Sequence, residues 1–495
     1  MRDIRTGRQG TSSAASAVTD IVAEATHERP AGAPPRLIAI IGAGLSGTTV
    51  AIQLLRRVAP GSVRILLIDS RDEAGAGVAY ATRDYPYPLN VAAGQMSLDP
   101  THPHDFLEFA RGQGIDATAA DFLPRQVYGD YLRARLAEAH AAQPRTEFEL
   151  LHARVLQLRR NVTGRFEVWL DDGRALAPDH VVLALGNAPP ATPPELEPIV
   201  GTPFHVHDPW SLGHFTNRDV ESVLLIGSGL TMIDAALRLA AIRPRPRHIY
   251  VLSRHGLLPQ SQAGTVRPAL QPDIARITSQ HSSLRALVRE TRVLAAEVEA
   301  GGGDWREVIT RLRPQLSTLW RGLDQQQRAR FLRHARAYWE VHRHRVPAAP
   351  LAAVQTLQRM GVLEVHAGHL EELRVVDGVV EVSWRPRGAR RRRAWLVDRV
   401  VNCTGPDSRI ERQSDPLVRS LLANGLVRAD PHGLGIDVAD DGRVIARDGR
   451  PVDSLWYLGP WLRARDWECT AVPELREHAA RLAQLLAAEP ASALA

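Results

Sequence analysis

Residues 37–55 read LIAIIGAGLSGTTVAIQLL, and residues 63–69 read VRILLID. The apolar run from Leu37 to Ile41 has the pattern of a parallel strand buried on both faces. Gly42-Ala43-Gly44-Leu45-Ser46-Gly47 breaks that run, and the stretch to about Val58 has helical spacing. The next strand, Val63 to Ile68, ends on Asp69, 27 residues past the first glycine. Strand, glycine turn, helix, strand and acid make a βαβ unit of the dinucleotide-binding kind. Its glycines permit a tight turn and let a pyrophosphate approach the N–H groups at the helix N-terminus, where the peptide dipoles favour an anion. Asp69 is placed to accept hydrogen bonds from a ribose diol.

The same pattern is written again downstream. Val223 to Ile226 (VLLI) leads into Gly227-Ser228-Gly229-Leu230-Thr231-Met232, a helix, and the strand His248 to Leu252. Each copy is followed by a β-rich ending, His152 to Gly186 in the first and His366 to Gly405 in the second. The spacing therefore predicts an α/β fold of two tandem Rossmann-like domains with β-meander endings. In the second copy Met232 replaces the third glycine, so its helix is expected to pack less closely on the strand. At the offset where the first copy has Asp69, the second has Arg254, between Ser253 and His255. A cation there suits the 2′-phosphate of NADP and gives the ribose of NAD no carboxylate, so NADPH is expected over NADH.

The chain has 495 residues, enough for about three folding units. The reading divides it into a leader over 1–35, a first domain over 36–215, a second over 216–404, and a return to the first over 405–495. An arginine-rich stretch of helical periodicity, about 268–360, interrupts the second domain. The leader lacks an apolar core and carries Asp20, Glu24 and Glu28, so it reads as neither a secretory signal nor a transit peptide. A cytoplasmic location is the default. No run of 18 apolar residues occurs, so no membrane span is expected. All 61 basic side chains are arginine, which excludes Schiff-base chemistry, pyridoxal phosphate attachment and a phosphate-loop lysine. The two cysteines, Cys403 and Cys469, form no C-x-x-C pair, which excludes a four-thiolate zinc site and a local redox disulfide. Arg390 to Arg393 reads as a solvated hairpin loop, because no aromatic platform for nucleic acid accompanies it. His205 and His207 with Asp208 lack a third convincing metal ligand and read as structural; no metal is expected.

Four further stretches carry a family resemblance: GAGVAYATRDYPYPLNVAAGQMS (75–97), PRQVYGDYL (124–132), LLIGSGLTMIDAAL (224–237) and WECTAVPELREHA (467–479). With the tandem fingerprints, VVLALG (181–186) and VVNCTG (400–405), they resemble the two-dinucleotide-domain flavoproteins, within the group containing FAD-dependent urate hydroxylase and aspartate N-monooxygenase. The resemblance runs from about Leu37 to Leu485. It implies FAD in the first domain and NADPH in the second, with reduced flavin capturing O2 and passing one oxygen atom to a small-molecule substrate. It assigns FAD contacts to Gly42, Gly44, Ser46, Gly47, Asp69 and Arg71, and further ones to Arg125 and Val155. Gly227, Gly229, Thr231 and Arg254 are assigned to NADPH, and Gly405, Gly459, Thr470 and Ala471 to the closing cofactor segments. Asn90 and Gln95 are expected near the flavin, with Met96 beside them. A linker motif of Baeyer–Villiger and N-hydroxylating enzymes is partly kept by Gly201 and His205, while Ile199 stands for its phenylalanine and Trp210 falls one place late. That gives His205, with Asn90 and Gln95, a candidate catalytic part. Gly459-Pro460 replaces the usual Gly-Asp, and Thr470 to Glu474 is expected to open a helix toward the flavin.

Three function classes remain open on the sequence: a flavin monooxygenase, a flavin reductase or dehydrogenase feeding another acceptor, and a redox-quiet FAD-binding scaffold. Disulfide reductases lack their cysteine pair here, and flavin halogenases lack their lysine. His342, His344 and Arg345 either face an anionic substrate or cap a solvated helix. Within the first class, hydroxylation of urate or a similar anionic nitrogen heterocycle is expected, with N-hydroxylation of an amino acid as the alternative.

Overall fold

Parallel pairing requires crossovers, which this chain makes with helices or with small antiparallel meanders. The computed structural model describes residues 34–75, 77–214, 220–262, 272–279 and 283–488. All but the last two residues of the expected leader lie outside the described residues. The first half contains β1 (Arg36–Ile41), β2 (Val63–Asp69) and β3 (Glu147–His152), then a small meander of β4 (Val155–Arg160), β5 (Phe166–Leu170) and β6 (Ala175–Leu176), then β7 (His180–Leu183). The second half contains β8 (His205–Val206), β9 (Ser222–Ile226), β10 (His248–Ser253), β11 (Leu363–Val376), β12 (Val379–Pro386), β13 (Arg393–Val397) and β14 (Arg399–Asn402). The chain closes with β15 (Arg443–Ile445) and β16 (Pro451–Tyr457).

Two large sheets result, ordered β15-β16-β7-β1-β2-β3 and β13-β12-β11-β10-β9-β14-β8. The first is parallel except at β15, and the second is parallel from β11 to β8. The strand order reverses beside β1 in one sheet and beside β9 in the other, and ligands of such sheets bind in the crevice at that reversal. The expected α/β class, with two Rossmann-like sheets and meander endings, is the observed one. The two endings differ in continuity. β11 is a single strand of 14 residues that pairs in parallel with β10 and then antiparallel with β12. In the first half the same path is divided into β3 and β4, where the Ala153 N–H turns back to the Asp69 carbonyl at 2.9 Å. Arg390 to Arg392 lie in the β12–β13 turn, as the hairpin reading expects.

The helical insertion has its own apolar core. Leu287, Leu294, Val308, Leu312 and Trp320, from the helices Leu284–Ala300, Arg306–Leu312 and Leu316–Gly322, pack with Leu434, Ala464 and Trp467 of the closing segment. The insertion is shorter than its periodicity suggested. The helix Ala348–Arg359 sends Val354 and Leu357 into the core of the second sheet, beside Ile233 and Ile249. It is the crossover that a parallel β10-to-β11 connection requires, so the insertion ends near His344. Among the described residues no helix is long and apolar enough to cross a membrane. Both cysteines are buried and unpaired.

The two sheets are pinned together by a buried ion pair. Arg125 opens the helix Arg125–Ala141 and reaches Asp234 on the helix Leu230–Ala241 at 2.8 Å, with both side chains nearly out of solvent. Its guanidinium also lies 5.0 Å over the Trp210 ring, and Trp210 meets Tyr87 edge-on. The partly matched linker motif thus ends in an aromatic wedge between the sheets. Burial raises the pKa of Asp234, and Arg125 works against that rise.

Arg125→Ala or Asp234→Ala alone is expected to cost about 3–5 kcal/mol, because each leaves an unpaired buried charge. The double replacement Arg125→Met with Asp234→Leu should cost less than the sum, as measured by denaturant unfolding in a double-mutant cycle.

His180, buried in β7, titrates at about 4, chiefly because burial disfavours its charged form and also because Arg36 opposes it. The unfolded chain therefore takes up this proton first. Stability is expected to fall as the pH drops from about 6.5 towards 4, and His180→Asn should flatten that part of the unfolding profile.

Candidate functional site

Local packing forces the first glycine turn. Gly42 adopts φ +105°, and a Cβ on it would sit 2.5 Å from the Ala184 carbonyl oxygen across the strand reversal. A Cβ on Gly47 would fall 1.8 Å from the Gly42 carbonyl oxygen, so the helix Leu45–Leu55 lies directly on the turn. Gly44 caps that helix with no side-chain hydrogen bond, which leaves its first N–H groups for another acceptor. Ser46 is the second residue of this helix and is buried. The loop after β2 folds back over the turn: the Gly75 N–H donates to the Ala43 carbonyl at 2.8 Å, and Gly77 faces Gly44.

Asp69 is more occupied than a bare ribose acceptor. Its Oδ2 accepts the Ala43 N–H at 2.7 Å, and its Oδ1 accepts the Arg71 N–H at 3.0 Å and Nε at 3.1 Å. The carboxylate thus locks the turn, and the half-exposed Arg71 side chain must swing aside for a ribose diol. Arg71 is therefore a partner of the acid in this structure. Val155 begins β4 just beyond that acid and is buried.

The second turn repeats the first with one change. Gly227 has φ +104°, and its Cβ would lie 2.4 Å from the Cys403 carbonyl oxygen at the β9–β14 reversal. Gly229 caps the helix Leu230–Ala241, again without a side-chain hydrogen bond, and Thr231 is its second residue. Met232, in the third glycine's place, is fully buried in the second core. Its side chain occupies volume that the first copy leaves to direct helix-on-turn contact. Arg254 follows β10 and is exposed. The Ser228 hydroxyl donates to the Leu257 carbonyl at 2.6 Å, which folds the residues after Arg254 back toward the turn. Gly405, at φ +85°, ends the β14 segment with open space around it.

The closing segment runs along the first reversal. The Leu458 N–H donates to the Leu183 carbonyl at 3.0 Å. Gly459 is fixed by space and not by backbone angle: its Cβ would meet the Leu185 carbonyl at 2.6 Å and the Tyr457 hydroxyl at 2.7 Å. Thr470 and Ala471 precede the helix Val472–Ala488, which opens where the sequence expected it. The insertion clamps this segment through three ion pairs that sequence reading did not find. Arg313 binds both oxygens of Glu474, Arg343 reaches Glu468 at 3.1 Å, and Arg463 reaches Glu340. Burial pushes the Glu340 carboxyl up, but His344, Arg463 and Arg336 outweigh it and hold the group well below the carboxylate range. In a chain of 61 arginines no single pairing stood out; only the fold selects these.

Asn90 and Gln95 lie in the loop tied by backbone hydrogen bonds to residues 119–123. Gln95 is exposed, Met96 is buried, and the Asn90 carbonyl accepts the Gln262 side-chain amide at 3.0 Å. Gln262 is thus the second-domain residue that meets the candidate flavin loop. It pairs with the end of the insertion: its N–H donates to the Val346 carbonyl at 2.8 Å. Next to Val346 stands Arg345, whose Nε and Nη1 are buried with no hydrogen-bond partner among the described residues. Burial, then Arg343 and Arg306, push its pKa down to about 10. By contrast, His344 is paired with Glu340 at 3.0 Å and His342 with the Tyr338 carbonyl at 2.7 Å. Arg125 donates from Nη2 to Asp234 and from Nε to the Pro88 carbonyl. His205 pairs with Val400 at the level of Leu224, three residues (about 10 Å) short of Gly227 along the strand direction. It opens the two-residue edge strand β8 and is half-buried; burial and then His207 lower its pKa.

These geometries separate two glycine substitutions. The chain itself has room for a Cβ at residue 44, since the nearest atom is 3.7 Å away, and that Cβ would lie at the helix N-terminus where a pyrophosphate is expected. Gly44→Ala is expected to leave folding intact and weaken FAD retention by on the order of tenfold or more. Gly47→Ala should instead lower the melting temperature. Flavin content and thermal unfolding, measured on both variants, check the distinction.

Residues 39–188 match the model of a family described as FAD-NAD(P)-binding. No curated protein sequence matches the chain. Among solved structures it is similar to L-lysine 6-monooxygenase from Pseudomonas syringae, at 18% identity and a TM-score of 0.64, over 91% of this chain and 99% of that one. It is also similar to ornithine hydroxylase from Pseudomonas aeruginosa, at 17% identity and a TM-score of 0.62, over 91% and 98%. The ornithine N-hydroxylase of Kutzneria sp. 744, solved with reduced FAD, NADP+ and L-ornithine, matches at 15% identity and a TM-score of 0.61, over 92% and 99%. The fold is that of the flavoproteins that bind FAD and NAD(P)H on two linked dinucleotide domains.

Proposed function

We propose that this chain is an FAD-dependent, NADPH-using monooxygenase that N-hydroxylates a small amine carrying an anionic group. The observation that carries the reading is the pair of uncapped helix N-termini at two strand reversals, together with the buried Nε and Nη1 of Arg345, unpartnered among the described residues, beside the Val346–Gln262 link to the Asn90 loop. The amide groups after Gly44 hold the FAD pyrophosphate, Asp69 the ribose, and the segment Gly459 to Ala471 the remaining length. The amide groups after Gly229 hold NADPH, and Arg254 supplies the cation for its 2′-phosphate. Flavin, when bound, supplies the redox chemistry by taking a hydride from NADPH and, once reduced, activating O2. The balance is amine, O2, NADPH and a proton giving hydroxylamine, water and NADP+. This chain's own task is to bind, orient and keep water out.

The similarity to the ornithine N-hydroxylase of Kutzneria sp. 744 supports nitrogen as the oxygenated atom, and the lysine and ornithine enzymes support an amine substrate. Urate, the first expectation, draws no such support. What separates this cleft from a diamine site is charge. Arg345 has Arg343 and Arg306 near it, a field only partly offset by Asp304 and Glu307, and a second ammonium end would be repelled there. A planar carboxylate would instead satisfy the unpartnered Nε and Nη1 side by side.

Aspartate is expected to raise NADPH oxidation and O2 uptake together, with hydroxylamine formed and little hydrogen peroxide, whereas ornithine and urate are not. Arg345→Gln should raise the KM for aspartate about ten- to a hundredfold, the loss of a charge-assisted contact, while flavin reduction by NADPH stays unchanged. If no amine couples NADPH oxidation to hydroxylamine, and a quinone or ferricyanide is reduced rapidly instead, the chain is a flavin reductase.

A further inference from the structure

Three arginines of the second sheet's meander have a carboxylate, and Arg390, Arg391 and Arg393 have none among the described residues. Arg385 and Arg392 share Glu371, Arg374 takes Glu372, and His366 takes Glu364. Arg387 lies between Arg385 and Arg392 on the same hairpin and has no ion pair among the described residues; nor do Arg254 and His369. All three are exposed, and the backbone brings them to one rim. Ser253, the last residue of β10, is in register with Ala367 on β11, and the Arg387 N–H donates to the Ala367 carbonyl at 2.8 Å. His369 follows Gly368, which faces Pro386 in the antiparallel register. The Gly256 turn closes against the same Ala367, its Cβ position 3.1 Å from the alanine methyl. Arg254 and Arg387 therefore leave the sheet two strand spacings apart, about 9–10 Å, which two guanidinium arms readily span around one phosphate.

His255 sits inside this rim. Its Nδ1 is buried and has no partner among the described residues, and its pKa is lowered by burial first and then by Arg387, Arg254 and His369. Two guanidinium groups and a second imidazole crowd this histidine, a setting that favours an anion.

We propose that Arg387, from the β12 end, is the second jaw of a clamp with Arg254, that the clamp closes on the 2′-phosphate of NADPH, and that His369 lies at its rim. The inference rests on the reading that the second cradle takes NADPH, and it adds a specificity residue outside the fingerprint. Because the two arginines come from different strands, each contacts a different face of one dianion, and loss of either jaw weakens the grip of the other.

The test is titration calorimetry on the FAD-loaded enzyme with 2′,5′-ADP and with 5′-ADP, for the wild type, Arg254→Gln, Arg387→Gln and the double variant. The probes differ only in the 2′-phosphate. The wild type should prefer 2′,5′-ADP, and each single variant should lose about ten- to a hundredfold of that preference, the usual worth of a charge-assisted contact. Affinity for 5′-ADP should stay unchanged, and the double variant should lose less than the product of the two singles. A wild type that binds both probes equally overturns the NADPH reading and the clamp together. A wild-type preference that survives Arg387→Gln, or an equal loss for both probes, overturns the clamp alone and leaves Arg254 as the sole determinant.

Discussion

The structure hangs on how closely a helix can approach the strand that feeds it. A methyl group at residue 47 would lie 1.8 Å from the Gly42 carbonyl oxygen, so the helix Leu45–Leu55 rests on the turn itself. That contact aims the first N–H groups of the helix into the crevice beside β7. Asp69 holds the other side by accepting the Ala43 N–H, and Gly75 ties the following loop to the Ala43 carbonyl. One residue, Ala43, is therefore gripped from both its peptide groups. The second turn keeps the tight φ of Gly227 against Cys403 but fills the helix contact with Met232. Both copies preserve the backbone dihedral, and only one preserves the close approach.

The domains and the insertion are joined by ion pairs as well as by apolar packing. Arg125 and Asp234 link the two sheets, and Arg313, Arg343 and Arg463 link the insertion to the closing segment. Burying such pairs is costly unless each group is fully matched, and the matching fixes register where a greasy contact would tolerate sliding. Arg463 also lies 4.0 Å over the Trp467 ring, which itself packs on Trp320 of the insertion. The closing segment is thus positioned by residues far away in sequence.

An arginine-only chain gives this pattern a particular meaning. Guanidinium stays charged and offers several donors in a fixed plane, so a well-placed carboxylate satisfies it almost completely. Where carboxylates are supplied, as for Arg385 and Arg392 on Glu371, the cation is structural. Arg345 and Arg387 lack one among the described residues: Nε and Nη1 of the first are buried without hydrogen-bond partners, and the second is exposed near His255.

The α/β class, the two glycine turns, the acid and the arginine that follow them, and the closing helix were legible in the sequence. They depend on local rules: a buried strand is a continuous apolar run, a tight turn needs glycine, and a helix start has a readable composition. What the tertiary structure decided was which of many arginines pair with which acids. Arg125, expected at the cofactor, pairs with Asp234 across the sheets, and His205, expected near the flavin, opens the short edge strand beside Val400. The helix Ala348–Arg359 has the same periodicity as the insertion before it, and only its burial against Ile233 shows that it belongs to the second sheet. Periodicity reports that one face of a helix is buried. Which surface buries it, and which charge answers another across 100 or more residues, is set by chain topology, and that information is not local.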